Sequence, residues 1–305
     1  MFVIRFALLS SLFYALNVSM IPLIYTFEIS VFLFLFIRFG TTFFTSLIVT
    51  KSLFSFREVK RQKIGAWILI LSFLFGVQSW LYVEAVKYIS VGLASVILFT
   101  YPLITYLIAS LLKRRSFDLL TILIFVFATL GIAAISGIVV ISQNSEGIYT
   151  MQISEGLYVV LIGVVLGLLS ALTYSLILIL TPKVSCLKNW EIVKYTTLIP
   201  ALIFLYLFIN ETGFYWPQSE GLILSLISGT FFATGMMFYH MSVRKYGPIR
   251  TANIGYTEPL LVLGFGFMAY SDAITLTQGL GVIMVAIASI TIERRQLIKD
   301  TTPKI

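Results

Sequence analysis

Cysteine and histidine are almost absent from this chain of 305 residues, which contains only Cys186 and His240. A single cysteine excludes an internal disulfide and a cysteine-based metal site. A single histidine argues against the usual ligand sets of zinc. We therefore expect neither a metal site nor a cofactor.

Charge is also scarce. Asp, Glu, Lys and Arg make up 11% of the residues, whereas soluble domains contain roughly 25%. Hydrophobic residues make up 59%, and the mean hydropathy is +1.01. This composition predicts an integral membrane protein, which we expect in the cytoplasmic (inner) membrane of a bacterium. Apolar runs occupy almost the whole chain and leave no room for a soluble domain.

Ten apolar runs of about 20 residues follow one another along the chain, long enough for membrane-spanning helices. They lack the alternation and the short length that are typical of barrel strands. The runs cover residues 5–24, 28–50, 64–86, 90–112, 118–141, 157–180, 191–210, 219–241, 249–270 and 274–292.

Lysine and arginine predict the orientation of these helices. All basic residues except Arg38 and Lys87 lie near the two ends of the chain or in alternate loops. Such loops lie on the cytoplasmic side of a membrane, so both termini are predicted to be cytoplasmic. The net charge of +8 is thus explained by topology, and we expect no nucleic-acid partner.

One segment occurs twice. Ser90–Pro102 (SVGLASVILFTYP) aligns without a gap to Gly247–Pro259 (GPIRTANIGYTEP), 157 residues later. Both contain a threonine two residues before a proline, and each opens an apolar run. A proline inside such a run removes a backbone donor, so Pro102 and Pro259 are predicted to loosen or break their helices.

A second duplication involves the first helix of each half. Leu9–Pro22 (LSSLFYALNVSMIP) resembles Leu169–Pro182 (LSALTYSLILILTP), 160 residues later. The predicted fold is therefore all-α, with ten transmembrane helices in two five-helix repeats, 1–145 and 146–305. Five is an odd number, so the repeats enter the membrane from opposite sides. Residues 142–155 form a polar loop between them.

The order and spacing of several motifs resemble an EamA-type member of the drug/metabolite transporter superfamily. The residues that carry the resemblance are Arg38, Tyr82–Tyr88, Gly92–Ser95, Tyr101–Pro102, Tyr256–Pro259 and Asp272–Gly281. The resemblance implies a carrier for amino acids, related metabolites or drugs, which are often exported.

Glu258 is the strongest candidate for chemistry, because it lies next to Pro259 near the predicted middle of the membrane. Transporters with inverted repeats bind their solute at that depth. Glu258 is therefore a candidate proton carrier or a partner for the ammonium group of a solute. Alternatively, it only ties helices together.

Other charged residues have simpler interpretations. Arg38, about ten residues into its helix, is either a counter-charge for an anionic solute or a structural partner within the protein. Lys194 is expected to extend its ammonium toward the cytoplasm. Glu84 and Lys87 are expected to form a local ion pair. His240 is expected at the cytoplasmic interface.

Aromatic and amide side chains complete the predicted solute site, since pockets are mostly apolar with a few placed polar groups. For each ring, ordinary packing is the alternative. The site residues predicted besides Glu258 and Arg38 are Tyr14, Gln78, Trp80, Tyr101, Tyr174, Asn253 and Tyr256.

These features favour a secondary transporter that works without ATP and moves a small-molecule solute across the lipid bilayer by alternating access. The alternatives are a channel or a membrane scaffold. A membrane-embedded transferase is least favoured, since the chain offers no paired acid and base, and we predict no enzymatic activity. Gly163 and Gly167 allow close helix packing within the bundle. A homodimer is the assembly left open.

Overall fold

The computed structural model describes residues 5–51, 59, 61, 63–89, 91–112, 118–135, 141–143, 149–151, 157–211, 218–270 and 276–301. Asp272, which begins one of the motifs that carry the family resemblance, lies outside the described residues. The helices are α1 (Arg5–Tyr25), α2 (Val31–Thr50), α3 (Gly65–Ala85), α4 (Val91–Leu98), α5 (Tyr101–Leu112), α6 (Leu119–Ile135), α7 (Leu157–Leu180), α8 (Asn189–Ile209), α9 (Ser219–Tyr246), α10 (Pro248–Gly255), α11 (Thr257–Tyr270) and α12 (Leu276–Thr301).

Every predicted apolar run overlaps a helix. Over the described residues, six helical segments are long and apolar enough to cross a membrane, and three shorter ones are also apolar. The six are Val31–Thr50, Gly65–Ala85, Ala94–Leu112, Val160–Val184, Asn189–Ile209 and Ser219–Tyr246. The chain is thus an integral membrane protein, while ten crossings and cytoplasmic termini stay predictions.

The predicted polar loop between the two repeats contains a short hairpin. Strand β1 (Ile141–Gln143) pairs antiparallel with β2 (Tyr149–Met151). A short 3₁₀ turn, Thr181–Val184, follows α7.

The chain divides into two compact units, and each draws on both halves of the sequence. The first consists of Met1–Trp80 and Leu176–Thr251, and the second of Leu81–Ser175 and Ala252–Ile305. The predicted repeats, 1–145 and 146–305, are therefore not the compact units. They stay a prediction about ancestry.

In the first unit, α2 packs against α8, its counterpart in the other half of the sequence. Lys194 of α8 lies at the end of α2, where its Nζ donates to Thr50 Oγ1 at 3.3 Å. Further along, the Phe39 and Phe204 rings stack with centroids 5.8 Å apart. Because residue numbers rise along one helix as they fall along the other, the two counterparts run antiparallel.

Helix α9 packs closely against α1 and α2 because glycines face both helices. A Cβ at Gly229 would lie 2.8 Å from Thr41 Cβ, and one at Gly235 would lie 2.9 Å from a Tyr14 ring carbon. Small residues allow such approach between helices in a membrane, where packing rather than water exclusion drives association.

Asn17 also joins α1 to α9. Its Nδ2 donates to the backbone carbonyl of Ser228 at 3.0 Å and to the Ser228 hydroxyl at 2.6 Å. We expect Asn17→Ala to lower the free energy of unfolding by about 1–2 kcal/mol, because it leaves buried acceptors unpaired. Reversible unfolding in mixed micelles measures this.

Asn210 provides the matched control for Asn17. Its amide donates to the Tyr206 carbonyl within its own helix end, and the residue is exposed. Asn210→Ala should therefore change stability by less than about 0.5 kcal/mol. An equal loss in both variants would contradict the role of Asn17 between helices.

In the second unit, α6 packs against α12, and α7 packs against the segment around α4. A Cβ at Gly163 would lie 2.6 Å from an Ile89 methyl group, and one at Gly167 would lie 2.9 Å from an Ile97 methyl group. The predicted role of these two glycines in bundle packing is confirmed. The core of this unit includes the fully buried Phe125.

One prediction about a charged side chain stays open, and one about a titratable side chain is wrong. Lys194 is 0% exposed, and its ammonium reaches the carbonyl end of α2, where helix dipoles favour a cation. That end leads into the loop predicted to be cytoplasmic, so the predicted direction of Lys194 stays a prediction. His240 is 1% exposed rather than interfacial. The reason is that α9 continues to Tyr246, so His240 lies well inside the helix and against the ring of Phe75.

The predicted ion pair between Glu84 and Lys87 is confirmed. Lys87 Nζ lies 2.9 Å from Glu84 Oε2 at the end of α3. Both side chains retain some exposure to solvent, so the pair contributes little to stability.

Candidate functional site

Two helical stretches are interrupted at breaks that lie in the second unit. In the first half of the sequence, α4 ends at Leu98 and α5 begins at Tyr101, with a turn at Phe99 and Thr100. In the second half, α10 ends at Gly255 and α11 begins at Thr257. The break at Tyr256 is the position that the ungapped alignment pairs with Phe99.

Proline stands just inside the helix that follows each break. Pro102 is the second residue of α5, and Pro259 is the third residue of α11. In the first turn of a helix the missing N–H costs nothing, because those donors have no intrahelical acceptor. The same ring disfavours a continuous helix through the residues before it.

A threonine caps the preceding half-helix at both breaks. Thr100 Oγ1 donates to the Ile97 carbonyl at 2.7 Å, and Thr257 Oγ1 donates to the Ile254 carbonyl at 2.9 Å. Each hydroxyl adds a donor to a carbonyl in the last turn before the interruption, where helical donors run out. The duplicated segments thus form the same local structure, side chain included.

The two breaks lie next to each other within the second unit, joined by Tyr101. The Tyr101 hydroxyl donates to the Ala252 carbonyl of α10 at 3.3 Å. A Cβ at Gly255 would collide with the same hydroxyl oxygen and come within 3.1 Å of the ring carbon Cζ. Only glycine leaves room for Tyr101 at the end of α10.

Helix α7 holds Tyr101 from the other side. Ser175 Oγ donates to the Tyr101 carbonyl at 3.0 Å. The Tyr174 ring meets the Tyr101 ring edge-on, with centroids 4.6 Å apart. Tyr101 therefore has a fixed position between two elements.

Polar groups surround the second break. Asn253 is 2% exposed, and neither its amide nitrogen nor its amide oxygen has a hydrogen-bond partner among the described residues. Tyr256 is fully buried, with its ring 6.3 Å from that of Phe125. A buried amide with both groups unused is costly in a membrane protein unless something binds it.

Glu258 is half-buried and lies in the first turn of α11. The backbone N–H groups at the start of a helix favour a negative charge there. Among the side chains that the structure describes in this unit, Lys87 is the one basic group, and it pairs with Glu84. The site therefore presents a carboxylate, an unused amide and aromatic rings, which suits a solute with an ammonium group.

The other predicted site residues belong to the first unit. Arg38 is 5% exposed; its Nη2 donates to Ser79 Oγ at 2.6 Å, and its guanidinium carbon lies 4.3 Å from the centroid of the Phe232 ring. Tyr14 packs against the same Phe232 ring at 5.7 Å. Gln78 is half-buried in α3.

Trp80 lines an apolar groove of about 320 Å³ on the first unit. The structure thus brings Tyr101, Tyr174, Asn253 and Tyr256 together around the helix breaks, with Glu258 beside them on α11. Arg38, Tyr14, Gln78 and Trp80 form no part of that cluster within the second unit.

Sequence reasoning missed several contributors to these sites. Ser175, Ser79 and Gly255 position Tyr101 or Arg38. A serine inside an otherwise apolar run is the signal that could have found the first two. Gly255 stands directly before a residue of the repeated motif, and a glycine there indicates close approach by another element.

A comparison with known families finds a match for the first half of the chain. Residues 1–137 match the model of the EamA-like transporter family. This segment is similar to the EamA-like transporters. The similarity supports a general role of the protein in membrane transport.

A solved structure extends the likeness in fold beyond the EamA-like segment. A chain described only as "Crystal structure of protein" superimposes with a TM-score of 0.73 over 95% of this chain and 98% of its own length. The two sequences are 15% identical, so the match concerns the fold alone. A search of curated proteins found no match.

Proposed function

We propose that this protein is a secondary transporter that moves a small amine-bearing metabolite, such as an amino acid, by alternating access without ATP. The pair of interrupted helices that meet at Tyr101 carries this proposal. Discontinuous helices expose backbone groups and helix dipoles at membrane depth, and transporters use them to bind solutes and ions. Export from the cytoplasm across a bacterial inner membrane is the direction that the family resemblance favours.

The described groups have separate roles in this proposal. Glu258 pairs with the ammonium group of the solute, and Asn253 offers one donor and one acceptor to its polar part. The rings of Tyr101 and Tyr256 border the site and exclude water. Glu258 is also the residue that would take up a proton when no solute occupies it.

The antiparallel packing of α2 and α8 supports an inverted repeat, because these helices are counterparts in the two halves of the sequence. Alternating access in such proteins moves one group of helices against another around a fixed site.

Transport in proteoliposomes tests the role of Glu258. We expect Glu258→Gln to reduce the uptake of amino acids and related amines at least about tenfold, because the amide cannot neutralise an ammonium group. An imposed proton gradient should accelerate uptake by the wild type and not by the variant. A panel of radiolabelled metabolites provides the measurement.

Glu220→Gln is the matched control. Glu220 is exposed and lies in the first turn of α9, in the first unit. Uptake by this variant should stay within about twofold of the wild type, as expected for an exposed substitution. If Glu258→Gln left the rate and its response to the proton gradient unchanged, Glu258 would not be the solute site.

A further inference from the structure

The groove next to Trp80 has no role in the proposed transport site. Helices α3 and α8 form most of it, with Phe32 of α2 at one end. Gly76 and Pro200 form its floor, where a Cβ on Gly76 would lie 3.4 Å from the proline ring. Gly76 has no side chain, and Pro200 presents only its ring. A channel therefore remains between the larger residues that flank them on the two helices.

The groove opens toward the surface that contacts lipid. Phe73, Ile203 and Leu207 line it, and their side chains are 59%, 40% and 36% exposed. Exposed apolar side chains of membrane-spanning helices face the hydrocarbon of the bilayer. Its lining includes one hydroxyl side chain, Ser72, which bonds to the carbonyls of Ile68 and Tyr195. The groove thus offers mainly hydrocarbon packing.

The volume of the groove suits one acyl chain. With a volume of about 320 Å³, the groove is far larger than the space that one water molecule needs and has room for a segment of an acyl chain. In a bilayer no hydrophobic gain accompanies entry. A chain that fills the groove instead gains the dispersion contacts that a void would forfeit.

Carboxylates lie close to one end of the groove. Phe32 lies two residues after Ser30, and Leu207 lies four residues before Glu211. The Ser30 hydroxyl donates to Glu211 Oε2, and no described residue forms a hydrogen bond with the other carboxylate oxygen. The sequence has no lysine or arginine within residues 23–33 or 204–222, whereas Glu28, Glu211 and Glu220 lie there.

We propose that this groove binds one phospholipid whose headgroup carries a primary ammonium, with an acyl chain along Gly76 and Pro200 and the ammonium at Glu211. A primary ammonium donates hydrogen bonds to a carboxylate, which a quaternary ammonium cannot do. An anionic headgroup without an ammonium would meet repulsion at the same place.

Native mass spectrometry of the full chain tests the proposal after delipidation in detergent and addition of defined lipids. Palmitoyl-oleoyl phosphatidylethanolamine should bind as one retained copy, about tenfold more tightly than phosphatidylglycerol or phosphatidylcholine with the same chains. Equal retention of the three lipids by the wild type would overturn the proposal.

Two variants separate the acyl chain from the headgroup. Ile203→Trp fills the groove and should abolish retention of the lipid, whereas the matched control Ile223→Trp, on the lipid-facing side of α9 and 56% exposed, should retain it. Glu211→Gln should still bind lipid but lose the preference for phosphatidylethanolamine. Unchanged retention in Ile203→Trp, or unchanged preference in Glu211→Gln, would contradict the assignment.

Fluorescence keeps the proposal testable if Ile203→Trp does not fold. A variant with Trp67, Trp190 and Trp216 replaced by phenylalanine retains Trp80 alone at the groove. Phosphatidylethanolamine with brominated chains, a minor component of phosphatidylcholine liposomes, should quench Trp80 beyond its share of the lipid. Quenching equal to that by brominated phosphatidylglycerol would refute the site. Neither measurement depends on transport.

Discussion

A methyl group added at Gly255 should abolish transport and lower the free energy of unfolding by about 1–3 kcal/mol, the usual range for an overpacked contact. The added Cβ would collide with the hydroxyl oxygen of Tyr101 and lie 3.1 Å from its Cζ. Tyr101 cannot move aside, because Ser175 holds its carbonyl and Tyr174 packs against its ring. The strain therefore falls on the two helix breaks themselves.

Removing the hydroxyl that causes the collision should relieve most of this loss. Tyr101→Phe alone removes the bond to the Ala252 carbonyl and should cost about 1 kcal/mol. In combination with Gly255→Ala it removes the colliding atom, so the double variant should be more stable than Gly255→Ala alone. The two substitutions should thus offset each other in the double variant, and such non-additive effects are expected for residues in direct contact.

Gly264→Ala is the control for the backbone effect of replacing a glycine in a helix. Gly264 lies within α11, and among the described residues no atom beyond its chain neighbours and its own helix backbone stands within 4 Å of a Cβ added there. Because alanine favours helix over glycine by roughly 1 kcal/mol, this variant should be as stable as the wild type or more so. Equal damage from the two substitutions would contradict the assignment of Gly255 to the contact with Tyr101.

The helix breaks could be predicted from the sequence, because they depend on local contacts of a segment that occurs twice in the chain. Thr100 and Pro102 recur as Thr257 and Pro259, and a threonine that caps a carbonyl needs only residues three positions away. A proline disrupts a helix through its own ring and its missing N–H, without a contact to any other residue. Neighbours in the chain determine such features, so a pattern within thirteen residues predicts them.

The grouping of helices was not accessible in the same way. Which helices share a compact unit depends on contacts such as Gly229 against Thr41, which lie far apart in the sequence. A glycine in an apolar run shows that something approaches closely, but not which helix does so. The two repeats seen in the sequence therefore did not predict the two units.

The misplacement of His240 has an electrostatic origin. Arg244 and Lys245 indicated a cytoplasmic loop, so the helix was expected to end at residue 241. The helix instead continues to Tyr246, with both basic residues in its last turn. Cations are favourable at the carbonyl end of a helix, so the same residues that orient the chain also extend the helix.

Arg38 should prove to be a structural cation of the first unit, and its loss should be the second large effect. Arg38→Met removes the donor to Ser79 and the charge over Phe232, while it keeps most of the side-chain volume. We expect the free energy of unfolding to fall by about 2 kcal/mol or more, because a buried hydrogen bond to a charged group is lost. Reversible unfolding in mixed micelles without any solute measures this.

A double-mutant cycle with Phe232→Leu separates this role from that of a counter-charge for a solute. A desolvated guanidinium over a ring is stabilised by roughly 2 kcal/mol, so a coupling of about 1–2 kcal/mol is expected in the absence of solute. The control pair is the exposed Lys245, whose Nζ lies 5.3 Å from the centroid of the Phe6 ring, and there the coupling should be about 0.5 kcal/mol or less. The opposite outcome would be that Arg38 and Phe232 show no coupling, while Arg38→Met folds normally and loses transport. The guanidinium would then bind the solute. A charge that acts only on the solute does not affect the unfolding of the empty protein. A charge that holds α2 against α9 must affect it.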